Sequence, residues 1–306
     1  MSLFPTDFLI DAILHFAIGS KHADSSTCLY VSFPDYIPKE VPRSNLPACA
    51  DGSIRILFVS DTHDRHNGLG ILPECDILLH CGDIMMTNRF FSNAASVKKL
   101  NNFNSWLGTV RAKQRLVIGG NHDRLLEVLG KEKVQSILTN GVYLLNENVQ
   151  LGNLTAWASP LSAGKSRNRA FQSAAFTKEV MQKRPEEVDV LITHGRCGAL
   201  EDTIKHKVHL WGHNHNSYGV YLPGDIVQGQ KARSLSICAS LMDGHYNLKH
   251  LPVVLDLPRE RVDLAVPTPR TIATPIATPA PSSVFNVFKT RKYKVQPIIE
   301  SAPLEE

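Results

Sequence analysis

The chain has 306 residues, 43% hydrophobic and 20% charged, with a formal net charge of +4 at pH 7. That apolar fraction excludes wholesale disorder and suffices for one large domain or two small ones. The slight positive balance excludes a dedicated nucleic-acid face, which needs a concentrated basic surface, while 13 histidines are many side chains able to bind metal or move protons near neutral pH.

In chain order, residues 8–18 read as a short amphipathic helix with Thr6 as cap and Gly19 as stop; Asp7 and Asp11 argue against a secretory signal. No apolar run is long enough to span a bilayer. Prolines at 34, 38, 42 and 47 break residues 31–52 into an extended lead-in, so 1–52 is read as helix plus lead-in. Then come apolar, β-branched runs predicted as strands: Ile54–Ser60, Asp76–His80, Arg115–Ile118, Val188–Thr193 and Lys207–Trp211. Helical period falls between several of them, at Ala95–Leu107 and Leu125–Leu138. Further strands are predicted at Val142–Leu145, Val149–Trp157, Ser217–Leu222, Ser234–Ala239 and Pro252–Leu257, joined by turns. The alternation implies an α/β sandwich of mixed sheets over residues 53–260. Residues 261–306 are rich in Pro and Thr and predict a disordered tail whose Thr-Pro steps and Lys289–Lys294 cluster are solvated. Six cysteines without a C-x-x-C pair read as reduced thiols of a cytoplasmic protein.

Each central strand runs into polar residues: Asp61-Thr62-His63, Cys81-Gly82-Asp83, Gly119-Gly120-Asn121-His122-Asp123, His194-Gly195 and Gly212-His213-Asn214-His215. The carboxyl ends of strands in an α/β sheet share one rim, where ligands bind, so five distant segments are expected to meet there. Residues i and i+2 leaving a strand point the same way, which aims Asp61 with His63, and His213 with His215, at shared points. Carboxylate, amide and imidazole without thiolate suit Mn, Fe, Zn or Mg, with Mn favoured. Asp61, His63, Asp83, Asn121, His194, His213 and His215 are too many ligands for one tetrahedral ion. If Asp83 bridges, each of two divalent ions receives four protein ligands. Two aspartates and a hydroxide against two such ions leave about +1 to attract a phosphate oxygen.

These five motifs over Ile54–Leu257 resemble the calcineurin-like metallophosphoesterase superfamily, whose pattern is D-x-H, G-D, G-N-H-[D/E], H and G-H-x-H. FVSDTHDRH, DILLHCGD, LTNGVYLLN, LITHG and PVVLDLP are most similar to its metallophosphoesterase-domain-containing branch, itself similar to class III cyclic nucleotide phosphodiesterases. The resemblance implies a four-layer α/β/β/α sandwich with a dinuclear site at strand ends. Asp61, His63, Asp83 and His215 would hold one metal, and Asp83, Asn121, His194 and His213 the other. Some members of that branch have Gly at the first His of G-H-x-H, whereas His213 is present here, which favours full activity. The stretch between His194 and His213 is shorter than in the relatives, implying trimmed substrate-facing loops.

The expected reaction is in-line attack on phosphorus by a metal-bridging hydroxide. His122 would stand over the phosphate and serve the leaving oxygen, with Asp123 orienting it. Asn121, His122, Arg65 and Arg124 are candidates for substrate contact, and His80 is read as facing a packed environment. Phosphatases of the superfamily carry an Arg in G-D-x-x-D-R-G, but here the sequence is GDIMMTN, which favours a small phosphodiester such as a nucleotide. Alternatives are a phosphomonoesterase or nuclease of the same superfamily, or a protein-binding scaffold without catalysis.

Overall fold

The computed structural model describes residues 26–86, 93–164 and 166–260. The helix expected at 8–18 and the tail expected at 261–306 lie outside the described residues. The described residues all belong to one unit.

Strand β3 (Ser53–Val59) shows how the layers arise, because it is buried from Ile54 to its end. Its alternate side chains serve different cores. Ile54, Ile56 and Phe58 enter one, while Leu57 and Val59 enter another; a continuous apolar run marks a strand covered on both faces. Around it the chain forms β1 (Thr27–Ser32), β2 (Lys39–Pro42), β4 (Cys75–Cys81), β5 (Ala112–Ile118), β6 (Val142–Tyr143) and β15 (Val253–Pro258). These make a seven-stranded sheet in the order β2-β1-β15-β3-β4-β5-β6. The second sheet contains β7 (Glu147–Leu151), β8 (Leu154–Ser159), β9 (Val190–Thr193), β10 (Val208–Trp211), β11 (Gly219–Tyr221) and β14 (Leu235–Cys238), in the order β11-β14-β10-β9-β8-β7. A small hairpin, β12 (Ile226–Val227) and β13 (Gln230–Lys231), stands apart.

The core of Ile56, Phe58 and Leu79 also contains Ala156, Ile192 and Leu210 of the second sheet, so the two sheets pack face to face. On the outer face of the first sheet, Leu57 and Val117 meet α1 (Asn93–Thr109) through Phe103 and Trp106, and α2 (Arg124–Ile137) through Leu126 and Val134. On the outer face of the second, Trp157 and Leu191 meet α3 (Ala174–Lys183) through Val180 and α4 (Gly198–Glu201) through Leu200. The order of layers is therefore α/β/β/α.

Strands β3, β4 and β5 run parallel, as do β8, β9, β10 and β14, and a parallel bridge joins Ser60 to Ser240 just past β3 and β14. The carboxyl ends of both parallel sets thus lie on one rim.

Several elements differ from the sequence expectation. The lead-in, read as lacking regular structure, supplies β1 and β2; β1 pairs with β15, and β2 with β1 at the sheet edge, where proline is tolerated. Val149–Trp157, read as one strand, is a hairpin that turns at Gly152, whose φ of +63° is open to glycine. Helix α3, not among the elements singled out from the sequence, starts at Ser173, whose hydroxyl accepts the Phe176 N–H at 3.1 Å.

His80 of β4 shows how the rim is supported from below. Its ring lies against Phe103 at 5.0 Å, its Nδ1 accepts the Gly82 N–H at 3.3 Å, and its Nε2 faces the Thr62 hydroxyl at 3.0 Å. Burial pushes its pKa from 6.5 down to about 3. The unfolded chain therefore takes up a proton below pH 6.5 that the native imidazole refuses, and stability is lost as pH falls. Between pH 7 and 5 this single group removes about 2 kcal/mol. In urea unfolding of chelator-treated protein, His80→Gln is expected to lose about that much less over the same interval; equal losses in variant and parent would refute the assignment.

Candidate metal centre

The rim brings the seven expected ligands together from both sheets. Asp61 and His63 follow β3, Asp83 follows β4, Asn121 follows β5, His194 follows β9, and His213 and His215 follow β10. Six of them, all but Asn121, fall together with His122 into three overlapping sets whose ligand atoms lie within 4.8 Å of one another: Asp61, His63 and His215; His63, Asp83 and His122; Asp83, His194 and His213. Asp83 and His63 each belong to two of them.

The backbone is bent to make this possible. Asp61, His63, Asp83 and His213 all have positive φ, between 42° and 69°, a conformation that strains non-glycine residues and concentrates at functional sites. Close approach explains the glycines. A Cβ on Gly120 would stand 2.3 Å from Asp83 Oδ1, and one on Gly212 would stand 2.0 Å from the Ser60 hydroxyl.

Three imidazoles are oriented from behind. His194 donates from Nδ1 to the Cys81 carbonyl at 2.7 Å, His213 from Nε2 to the Ala163 carbonyl at 3.1 Å, and His215 from Nδ1 to the Asp243 carbonyl at 2.8 Å. Each thereby turns its other nitrogen toward the site, the arrangement that orients a metal-ligating histidine. His194 Nε2 lies 3.0 Å from Asn121 Oδ1 and 3.3 Å from Asp83 Oδ1. Asn121 is held by its amide nitrogen, which donates to Ser166 at 3.2 Å and to the Asn168 carbonyl at 3.1 Å. Asp61 accepts the His213 N–H at 2.9 Å and lies 3.6 Å from His215 Nε2. His63 is different: both of its ring nitrogens are buried and have no hydrogen-bond partner among the described residues. Unpaired buried nitrogens are costly, and a cation between His63 and its carboxylate neighbours removes that cost.

The electrostatics follow from crowding. Burial alone would raise the Asp61 and Asp83 carboxyls, but His215 and His194 beside Asp61, and His194 beside Asp83, hold both below the usual carboxylate range. Burial lowers His63 and His213 to about 4. For His194 the desolvation is outweighed by the charge of Asp83, which lifts it to about 9.

His213 and His215 do not converge as the i, i+2 argument expects. His213 falls with Asp83 and His194, and His215 with Asp61 and His63, because the left-handed turn at His213 and the 3-10 turn His215–Ser217 end the strand alternation between them.

Asp123 also departs from expectation. Its carboxylate accepts the N–H groups of Ile84 at 3.2 Å, Met85 at 3.1 Å and Gly120 at 2.8 Å, tying the β4 loop to the β5 loop instead of orienting His122. Burial and the charge of Asp83 push its carboxyl up to about 8. The His122 ring is placed by other groups: the Asn168 amide at 3.1 Å from Nε2, the Tyr246 hydroxyl at 3.4 Å, and the His63 ring at 4.7 Å between centroids. Burial lowers its pKa.

A cavity of about 440 Å³ opens on this rim, bordered by Asp83, Asn121, His122, His215, Tyr246 and Arg196. Arg65 and Arg124 do not border it. Arg65 is exposed on the turn before a 3-10 helix, and Arg124, the first residue of α2, pairs with Glu127 one turn on. Asn168, Tyr246 and Arg196 escape the sequence reading. The first two come from loops without a motif, whereas Arg196 directly follows His194-Gly195 and was within reach of a search for cations beside the histidines.

The calcineurin-like phosphoesterase family model matches residues 54–221. A human protein, metallophosphoesterase domain-containing protein 1, is 28% identical over 277 residues, covering 76% of this chain and 78% of its own. Its mouse counterpart matches to the same extent. A UPF0046 protein of Caenorhabditis elegans is 24% identical over 246 residues, covering 68% of this chain and 82% of its own.

Proposed function

Because the chain belongs to the calcineurin-like phosphoesterase family, and is thereby a metal-dependent phosphoester hydrolase, we propose that it cleaves small phosphodiesters such as nucleotides, using two divalent ions. The observation that carries this reading is the run of three Asp/His sets joined through His63 and Asp83, with both His63 ring nitrogens buried and without a hydrogen-bond partner among the described residues. The residues fit the ions. Asp61, His63, Asp83 and His215 would hold one, and Asp83, Asn121, His194 and His213 the other; the carboxylate, imidazole and amide donors suit Mn, Fe, Zn or Mg, among which we propose manganese. Such ions supply positive charge to the phosphoryl oxygens and lower the pKa of water.

The chain's own groups do the rest. Asp83 would serve both ligand groups with one carboxylate, and the carbonyl bonds of His194, His213 and His215 keep their other nitrogens turned toward the ligand sites. His122, kept neutral by burial, offers an N–H to the leaving oxygen from between Asn168 and Tyr246. The segment after Asp83 supports a diester. Ile84 and Met85 are buried with their N–H groups on Asp123, so this stretch offers no cation for the second charge of a monoester. We also assign the protein to the cytoplasm, a reading supported by its six free thiols.

Metal analysis paired with two chromogenic esters tests the whole. About two ions per chain and faster cleavage of bis(p-nitrophenyl) phosphate than of p-nitrophenyl phosphate are expected. Faster cleavage of the monoester would overturn the diester reading, and protein that takes up no metal and hydrolyses neither ester would be a scaffold.

A further inference from the structure

The cavity is larger than the reacting phosphate requires. At about 440 Å³ it falls within the range of pockets that hold a whole small molecule, and one of its walls takes no part in the reaction above. Arg196 and Gln228 form that wall. The Arg196 side chain is only 5% exposed, and its guanidinium is pinned on two sides. Nε lies 3.1 and 3.0 Å from the two Glu201 oxygens and Nη2 lies 2.7 Å from one of them, while Nη1 donates to the Val227 carbonyl at 2.9 Å. Val227 precedes Gln228, which borders the cavity as Arg196 does, so the guanidinium end of the side chain is anchored one residue from a second residue of the cavity lining.

A guanidinium has five N–H donors. Glu201 and Val227 engage three, and among the described residues nothing accepts from the remaining two, one on Nη1 and one on Nη2. Each terminal nitrogen thus keeps one N–H available to an oxygen of an oxyanion. The Glu201 partner explains how such a cation persists while the cavity is empty. A lone buried arginine would be costly, whereas the pair is neutral and stands as a fixed dipole. A purely structural tie between α4 and the β12-β13 hairpin accounts for the bonds to Glu201 and Val227, but not for the two spare donors of a residue that borders the cavity.

We propose that Arg196, held by Glu201, is a second oxyanion subsite. Resting on the phosphodiester reading, it selects substrates that carry a further phosphate group away from the scissile phosphorus. Gln228 beside it supplies a neutral amide to the same group.

Two probes differing in one phosphate test this: thymidine 5′-(p-nitrophenyl phosphate) and the same diester bearing a 3′-phosphate. For the metal-loaded parent, kcat/KM is expected to favour the 3′-phosphorylated diester by about 10- to 100-fold, as for a hydrogen-bonded charge pair. In calorimetry, thymidine 3′,5′-bisphosphate should bind more tightly than thymidine 5′-monophosphate by a similar factor. Both ratios should fall toward one in the double variant Arg196→Met with Glu201→Gln, which leaves no lone buried charge. In Arg196→Lys, which keeps the charge without the guanidinium, they should be intermediate. Failure to cleave bis(p-nitrophenyl) phosphate would sink the phosphodiester reading, and the calorimetric ratio would still judge the subsite. Absence of any preference in the parent, or a preference that survives the double variant, overturns the subsite. So does an equal loss on both diesters, which would place Arg196 on the scissile phosphate.

Discussion

Asp83→Asn is expected to reduce bound metal from about two ions to less than one per chain and to lower diester hydrolysis by more than about 100-fold. Substituting mere orienting partners of a metal ligand already costs 10- to 100-fold, and this carboxylate sits in two ligand sets. Its Oδ1 lies 3.3 Å from His194 Nε2 and its Oδ2 lies 3.7 Å from His63 Nε2. Asparagine preserves the shape, tolerates the left-handed backbone at φ +54°, and keeps an oxygen for the His122 N–H now held at 2.7 Å. The substitution therefore removes charge and one ligand oxygen while leaving the turn intact. Elemental analysis after dialysis, with activity on the same sample, decides the matter. A variant that keeps both ions and full turnover would mean that Asp83 is not shared.

His122→Ala is expected to behave in the opposite way, retaining both ions and losing about 10²- to 10⁴-fold in kcat, the range for a group that serves a leaving oxygen. The loss should deepen as the leaving alcohol becomes less acidic, since a poor leaving group depends most on the donor. His122 also falls in a set with His63 and Asp83, so metal content is the discriminating readout. Were the variant to lose an ion, His122 would belong among the ligands; were turnover to stay the same, it would have no part in the chemistry.

Much of this was legible in the sequence, for reasons that particular residues make plain. Parallel strands buried on both faces announce themselves as apolar runs, and because all of them end on one rim, the polar residues after Ser60, Cys81, Ile118, Thr193 and Trp211 had to meet. What escaped is what depends on turns. Strand alternation ends at His213, so its ring parts from that of His215. Asp123 was read by its nearness to His122 in the chain, whereas the demand it answers comes from the backbone of Ile84, Met85 and Gly120. Tyr246 and Asn168 reach His122 from loops whose sequences carry no period and no motif. Arg196 lies two residues past His194, where the sequence pattern marks only the histidine as a ligand, and the arginines the sequence points to, Arg65 and Arg124, border other motifs.

The split of the site between two sheets has a kinetic meaning. The His213 N–H reaches the Asp61 carboxylate across 152 residues of chain, and no single hairpin or strand-helix unit contains a full ligand set. Closing so long a loop is entropically unfavourable until most of the core has formed. Either complete set of proposed ligands is therefore assembled late, once the two sheets have packed, whereas the first sheet alone brings together only His63, Asp83 and His122. A half-folded chain thus offers part of a coordination shell and the finished fold the whole of it.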